Sequence, residues 1–90
     1  MDEPFDPAKD TVNRQKHGVS LALGDRIEGD DEHLIIPSIR PIDGEQRFKI
    51  VGLVAERLYT GVFVWRGDRR RFISVRRSNK GERRAYCASI

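Results

Sequence analysis

Cysteine, histidine and long apolar segments are scarce in this chain of 90 residues. The single cysteine, Cys87, excludes an internal disulfide and argues against a structural metal site. No apolar run approaches the ~18 residues of a membrane span, and the acidic start Met1-Asp2-Glu3 is unlike a signal peptide. We therefore expect a cytoplasmic protein with no membrane partner.

The common catalytic signatures are missing as well. There is no glycine-rich phosphate loop, no Gly-x-Ser-x-Gly elbow and no His-Glu-x-x-His pair, which excludes the usual P-loop, serine hydrolase and zinc protease sites. Of the two histidines, His17 reads best as a helix-end or packing residue and His33 as part of an acidic loop. No cofactor is expected.

What the chain does contain is arginine, concentrated between residues 66 and 77. Guanidinium groups stay charged near neutral pH, and their planar fork of donors fits phosphate oxygens. A strand so crowded with like charge indicates a polyanionic or acidic partner. The six arginines of this segment are Arg66, Arg69, Arg70, Arg71, Arg76 and Arg77.

Charge is also divided unevenly along the chain. Residues 1–45 carry five basic and eleven acidic groups (5 − 11 = −6), and residues 46–90 carry twelve and three (12 − 3 = +9), which together give the net +3. A basic half of this kind is typical of proteins that meet nucleic acid or acidic proteins. With no repeat and no linker, residues 1–90 are expected to form one domain.

Local signals predict helices at both ends of the chain. Asp6 as N-cap, Pro7 in the first turn and Gly18 as a left-handed stop predict a helix to about His17. A second short helical turn is expected at residues 21–23, ended by Gly24. Near the C-terminus, Asn79 and Glu82 have the spacing of a capping box, which predicts a helix to about residue 88.

Four segments between these helices have strand patterns. Residues 34–36 are a short apolar run that Pro37 and Pro41 confine to an edge strand or a loop. Residues 46–54 alternate, with Phe48 and Ile50 on one side and Arg47, Lys49 and Val51 on the other, and residues 57–65 read as a central strand buried on both faces. Gly67-Asp68 then predicts a turn into residues 70–77. The fold class is α+β, a small domain with two N-terminal helices, an antiparallel sheet of three to four strands and a C-terminal helix.

Strict alternation along residues 70–77 sorts the arginines between two faces. It predicts two sets of neighbours. The first set is Arg71, Ile73, Val75 and Arg77, and the second is Arg70, Phe72, Ser74 and Arg76.

RNA cleavage is the reaction that such residues permit without a metal. The ribose 2′-OH supplies the nucleophile, so the protein has only to orient it, stabilise charge on the phosphorane and move protons. Arg69 and Arg70, next to the turn, are expected at a solvated strand edge, and Arg47 is expected to pair with Glu45. The groups that could move protons are Glu45, Tyr59, Tyr86, Lys49 and Lys80.

Several motifs occur in order over nearly the whole chain. The segments are Asp6-Pro7-x-Lys9-x-x-x-Asn13-x-x-Lys16-His17-Gly18-Val19-Ser20, Gly44-Glu45-x-Arg47-Phe48, Gly52, Trp65-Arg66-Gly67-Asp68-x-x-Arg71-Phe72-Ile73-Ser74-Val75-Arg76-Arg77, and Glu82-Arg83 with Tyr86. Together they resemble one known family, the BrnT toxins, which are RelE-like ribonucleases of bacterial type II toxin–antitoxin modules.

The resemblance implies a RelE-like domain that cleaves RNA, inhibits translation and growth, is neutralised by a BrnA-like antitoxin and reaches promoter DNA only through the antitoxin complex. The residues that it and the composition together nominate fall into two groups. Arg66, Arg71, Arg76 and Arg77 are expected at the scissile phosphate, with Tyr86 or Glu45 assisting proton transfer. Arg69, Arg70, Lys49 and Lys80 are expected to bind RNA elsewhere.

Two other readings stay open. The same arginines would give a non-catalytic nucleic-acid-binding module, since phosphate contacts provide affinity without sequence choice. Against it, single-strand binders expose aromatic residues for stacking, whereas Tyr59, Phe63 and Trp65 fall in the strand expected to be most buried. A basic face that meets only an acidic protein is the third reading.

Overall fold

The described part of the chain forms three helices and one four-stranded sheet. The computed structural model describes residues 5–37 and 46–90. The elements are α1 (Pro7–His17), α2 (Leu23–Glu28), β1 (Leu34–Pro37), β2 (Phe48–Val54), β3 (Arg57–Arg66), β4 (Arg69–Arg77) and α3 (Lys80–Ser89). All neighbouring strands are antiparallel, in the spatial order β1-β2-β3-β4. The expected α+β class, antiparallel sheet and C-terminal helix are confirmed.

Helix α1 begins and ends where its sequence predicts. The Asp6 carboxylate accepts a hydrogen bond from the Ala8 amide at 2.9 Å, and Pro7 occupies the first turn, where its missing N–H costs nothing. Gly18 ends the helix with φ of +76°, a conformation that glycine adopts without a Cβ penalty.

Helix α2 does not end at Gly24, as the sequence had indicated, but continues through it to Glu28. The reason is a close approach: a Cβ at Gly24 would lie 2.6 Å from ring atoms of Phe72. Gly24 is therefore the point where α2 packs on the sheet. The prediction was wrong because it read this glycine only as a helix breaker.

The core lies between the sheet and the two N-terminal helices. Buried side chains of α2 and the segment before it meet those of β2, β3 and β4, and the ring of Phe63 stacks on Phe48 and packs against Phe72. The buried cluster comprises Leu21, Ile27, Ile50, Val54, Phe63, Phe72 and Val75. Side chains of β2 face as predicted, with Phe48 and Ile50 toward this core. β1 is an edge strand, as its proline indicated.

A β-bulge in β4 overturns the predicted alternation. Phe63 pairs with Phe72 and Val62 pairs with Ser74, so Ile73 is an extra residue between them. Phe72 and Val75, three residues apart, therefore point into the same core. The predicted division of this strand into two faces was wrong.

Two features of β3 and β4 bear on the surface. Phe63 is fully buried as expected, but Trp65 near the end of β3 is 43% exposed, which corrects its predicted burial. At the outer edge of β4, the side-chain Nδ2 of Asn13 in α1 donates to the Val75 carbonyl at 2.8 Å. The backbone N–H of Val75 donates to Asn13 Oδ1 at 3.0 Å. The Asn13 side chain thus pairs with β4 as a neighbouring strand would.

Helix α3 starts with the predicted capping box. The Glu82 amide donates to Asn79 Oδ1 at 2.8 Å, and the Asn79 amide donates to Glu82 Oε1 at 2.9 Å. None of the helices in the described ranges is both long and apolar enough to cross a membrane.

Candidate functional site

The side of the sheet that faces away from α1 and α2 carries most of the predicted site. We call it the α3 face, because the start of α3 packs on it. Residues 60, 62 and 64 of β3 share this side by period two, and their cross-strand partners share it with them. Apart from residues beside the β3–β4 turn, the polar members of the α3 face are Lys49, Thr60, Arg71, Ser74, Arg76 and Glu82.

The bulge in β4 brings Arg71 and Arg76 together on this face. Arg71 pairs with Val64 and Arg76 with Thr60, four residues apart on β3, which is about 13 Å along the strand. Midway between them, Lys49 and Ser74 lie on either side of Val62. Without the extra residue, the two arginines would have pointed to opposite sides of the sheet.

Glu82 is the buried anion at the centre of the α3 face. It is 5% exposed and receives both arms of the Arg76 guanidinium, at 2.7 and 2.8 Å. The Thr60 hydroxyl donates to it at 2.9 Å, and the Lys49 ammonium lies 3.3 Å away. Burial opposes ionisation, but the hydrogen bonds from Arg76, the Asn79 amide and Thr60 outweigh it and lower the pKa of Glu82 to about 2.

Arg76 therefore engages its guanidinium mainly in the ion pair with Glu82. Its side chain is 26% exposed, and its hydrogen bonds to Glu82 raise its pKa. A third contact, from its Nη1 to the Arg77 carbonyl at 3.3 Å, uses another donor. The guanidinium contributes a fixed positive charge to the face, with few donors left for a ligand.

Arg71 and Ser74 are different, since both keep their polar groups available. Within residues 5–37 and 46–90, neither the Arg71 guanidinium nor the Ser74 hydroxyl has a hydrogen-bond or ion-pair partner. Both side chains are half-buried, so they are held against the sheet and not extended into solvent. Arg71 and Ser74, together with Lys49 of β2, form the part of the α3 face that is best prepared to bind an anion.

The other predicted arginines are divided between the two sides of the sheet. Arg70 points to the core side, where it forms an ion pair with Glu28 at 3.1 Å and lies 4.9 Å from the centre of the Trp65 ring. Arg77 pairs with Tyr59, whose side chain packs against the core cluster, and is exposed. Arg66 and Arg69 pair with each other beside the turn, both exposed, and by the same period of two they share the α3 face with Arg71.

Of the predicted proton-transfer groups in the described ranges, Lys49 lies on the α3 face, whereas Tyr59 packs against the core cluster and Tyr86 is bound to Asp30. The buried Tyr86 hydroxyl donates to Asp30 Oδ2 at 2.6 Å, and this hydrogen bond together with burial raises the pKa of Tyr86 to about 12. Lys80 is exposed in the first turn of α3. Glu45, and with it the predicted Arg47–Glu45 pair, lies outside the described residues.

His17 of α1 lies within electrostatic reach of Arg76. It follows Asn13 by one helical turn on the side of α1 that packs on β4. Burial lowers the pKa of His17, and the positive charges of Lys16 and Arg76 lower it further. The imidazole is consequently neutral at neutral pH. The four-residue spacing of Asn13 and His17 was visible in the sequence, but the strand they face was not.

Comparison with known proteins gives one family. The model of the family described as the ribonuclease toxin BrnT of type II toxin–antitoxin systems matches residues 5–82. The match includes every polar member of the α3 face named above. No curated protein matches the chain by sequence.

Proposed function

From the premise that the chain belongs to the BrnT family of type II toxin–antitoxin ribonucleases, we propose that its α3 face binds and cleaves RNA as a metal-independent endoribonuclease. The observation that carries the proposal is the bulge at Ile73, which sets Arg71 on the same face as Arg76 and Lys49. Arg76 and Lys49 contact the buried Glu82 carboxylate, and Arg71 lies on the same face about 13 Å along the strand from Arg76. The face keeps a positive surplus that Glu82 alone does not neutralise.

The chemistry follows from what RNA brings with it. The 2′-OH loses its proton and attacks the adjacent phosphate, the bond from phosphorus to the 5′-oxygen breaks, and the products are a 2′,3′-cyclic phosphate and a 5′-hydroxyl that has taken up a proton. The protein has to hold the phosphate and stabilise the additional negative charge of the phosphorane. Arg71 is the residue best suited to contact phosphate oxygens, with the Ser74 hydroxyl as a neutral donor beside it. Arg76 acts as a charge held in place by Glu82. DNA, which lacks the hydroxyl, is spared.

An unprotonated group must take the 2′-OH proton, and among the described residues His17 fits that role best. Its lowered pKa keeps the imidazole unprotonated at neutral pH, and Arg76 lies within electrostatic reach. Tyr86 is a weaker candidate because its proton is engaged with Asp30. Glu45 stays a candidate from the sequence alone.

The same proposal covers the setting of the reaction. We expect a RelE-like toxin of the cytoplasm that inhibits translation and growth. A BrnA-like antitoxin would neutralise it by covering the basic α3 face, and promoter DNA would be met only through that complex. A toxin–antitoxin structure in which the partner leaves Arg71 open to solvent would overturn neutralisation by occlusion.

The test is cleavage of a labelled RNA by purified protein in EDTA, beside a DNA of the same sequence. Arg71→Ala is compared with Arg57→Ala, which removes an exposed arginine at the other end of β3. We expect RNA cleavage in chelator, no DNA cleavage, a loss of about 100-fold or more in Arg71→Ala and near-normal rates in Arg57→Ala.

Three results would contradict parts of the proposal. Cleavage that stops in EDTA and returns with a metal would exclude metal independence. Intact RNA in the presence of folded protein would exclude the ribonuclease. Equal losses in the two arginine variants would mean that overall charge, and not the α3 face, carries activity.

The exposure of Trp65 favours one second candidate, a non-catalytic nucleic-acid-binding module. The sequence-based objection to it was the lack of an exposed aromatic residue, and that objection no longer holds. In the same assay this reading predicts stoichiometric binding of RNA with no change in RNA length.

A further inference from the structure

We propose that Trp65, at the end of the β3–β4 hairpin, stacks on one unpaired base of single-stranded RNA while neighbouring arginines hold its phosphates. The inference rests on the proposed function, because it names how the same RNA is held outside the cleavage site. The site consists of the last two cross-strand pairs before the turn, Trp65 with Arg70 and Arg66 with Arg69. We call these four residues the hairpin tip.

The Trp65 ring is held in place by its neighbours although much of it faces solvent. Phe63 packs edge-to-face against it, with ring centres 5.6 Å apart and planes at 88°. The Arg70 guanidinium lies 4.9 Å from the Trp65 ring centre and 5.2 Å from that of Phe63. Glu28 secures Arg70 in turn, at 3.1 Å. A base that stacks on Trp65 would therefore not have to order the ring first.

Charge at the hairpin tip fits a phosphate backbone. Residues 65–71 contain four arginines and one acidic residue, Asp68, and Glu28 offsets Arg70 from outside the segment. The net charge of the segment is therefore positive. The exposed Arg69 and the half-buried Arg71 contribute to it. Trp65 and Arg70 lie on the core side of the sheet, whereas Arg69 and Arg71 lie on the α3 face, so a strand of RNA stacked on Trp65 would pass around the hairpin tip to reach the proposed cleavage site.

The other large apolar side chains exposed in the described ranges lack this combination. Leu53 is 46% exposed, close to the figure for Trp65, but it lies at the opposite end of the sheet beside the β2–β3 turn. It has no aromatic surface, and the turn beside it is Ala55-Glu56. An aromatic face surrounded by arginines is the arrangement with which proteins bind single-stranded nucleic acid without sequence choice. An acidic protein would be attracted by the same charge and also packs well on tryptophan, so variants have to separate the two partners.

The experiment uses the tryptophan itself, since Trp65 is the only one in the chain. Full-length protein is titrated with a short single-stranded RNA whose 2′ positions are methylated, so that the nucleophile is blocked. Inorganic polyphosphate serves as a ligand that has charge and no bases. We expect the RNA to quench Trp65 emission and polyphosphate to bind with little quenching.

Variants separate stacking from charge. We expect Trp65→Ala to weaken RNA binding about tenfold with an unchanged salt dependence, Trp65→Phe to recover part of the loss, and Leu53→Ala to bind normally. Arg69→Ala should lower the salt slope by about one unit instead. Thermal unfolding of each variant shows whether it is folded, and the quenching of the wild-type protein does not depend on any variant.

Each outcome decides one proposal. The stacking site is overturned if RNA binds without changing Trp65 emission, or if it binds Trp65→Ala with the same affinity as the parent protein. Either result leaves the proposed ribonuclease intact when unmodified RNA is cleaved. Quenching with no cleavage of unmodified RNA supports stacking and contradicts the proposed function. A Trp65→Ala variant that binds RNA normally but loses a co-expressed antitoxin would show a protein contact, which also overturns the stacking site.

Discussion

Replacing Arg76 by alanine should destabilise the fold before it affects any chemistry. The change removes two short charge-assisted hydrogen bonds from Glu82, a carboxylate that is 5% exposed. Breaking one side of a buried ion pair typically costs about 3–5 kcal/mol. Because Arg76 is partly exposed and Glu82 keeps Thr60, Lys49 and the Asn79 amide, we expect a loss of about 2–3 kcal/mol in the free energy of unfolding.

Thermal and urea unfolding measure this loss. For a domain of this size each kcal/mol lowers Tm by about 4–8 °C, so Arg76→Ala should melt roughly 10–20 °C below the parent protein. Arg71→Ala is the matched control on the same face, where no partner within the described residues is lost, and its unfolding free energy should change by less than about 0.5 kcal/mol. An unchanged Tm in Arg76→Ala would refute the assignment of Arg76 to Glu82.

Acid provides a second measure of the same contact. The pKa of Glu82 falls from an ordinary 4.5 to about 2 in the folded protein, so its ionisation stabilises the fold above pH 4.5 and that contribution is lost as pH falls toward 2. Because a tenfold change in proton affinity corresponds to about 1.4 kcal/mol, the full contribution is on the order of 3 kcal/mol. Arg76→Ala should flatten the acid limb of the stability profile. A limb as steep as that of the parent would show that Arg76 is not what lowers the pKa.

One consequence concerns how site variants are read. If Arg76→Ala relieves growth arrest in bacteria, loss of folded protein explains the relief as well as loss of catalysis. Arg71→Ala, which leaves Glu82 and its donors intact, is the cleaner variant for locating the phosphate site.

Two further predictions address the proton acceptor and the packing of α2. If His17 is the base, the cleavage rate is level at neutral pH and falls as pH drops through a pKa below 6.5. Lys16→Ala removes one of the charges that lower this pKa, so it should move the fall in rate to higher pH. A pH–rate profile that is unchanged in His17→Gln would exclude the role. Gly24→Ala should lower the free energy of unfolding by roughly 1–3 kcal/mol, because the new Cβ would meet the Phe72 ring. In the control Gly81→Ala the new Cβ would meet only Asn79 Oδ1 at 3.6 Å, so the free energy of unfolding should stay the same or rise by up to about 1 kcal/mol. Urea midpoints that move in the same direction for both variants would contradict the close packing of α2.

Local chemistry accounts for the parts of the fold that the sequence predicted. The caps of α1 and α3 depend on side chains within a few residues of each helix start, and the alternation of β2 needs only one strand to be read. Such signals do not require a partner elsewhere in the chain.

The errors arose where a partner strand or helix decides the outcome. The bulge at Ile73 is a mismatch in residue count between β3 and β4, which neither strand encodes alone. Gly24 is helical because Phe72 lies against it, 48 positions later in the chain. Glu82 was recognised as a capping residue, but its pairing with Arg76 depends on how α3 meets the sheet. The arginine cluster was visible in the sequence, whereas the side of the sheet that each arginine occupies was not.

The position of Glu82 in the chain has a consequence for synthesis of the toxin. This one carboxylate contacts Lys49 of β2, Thr60 of β3 and Arg76 of β4, and it also caps α3. The ribosome adds it after every other polar member of the α3 face. A nascent chain therefore carries the cations of the α3 face before the carboxylate that binds Arg76 and Lys49, and we expect that face to assemble only after Glu82 has been synthesised.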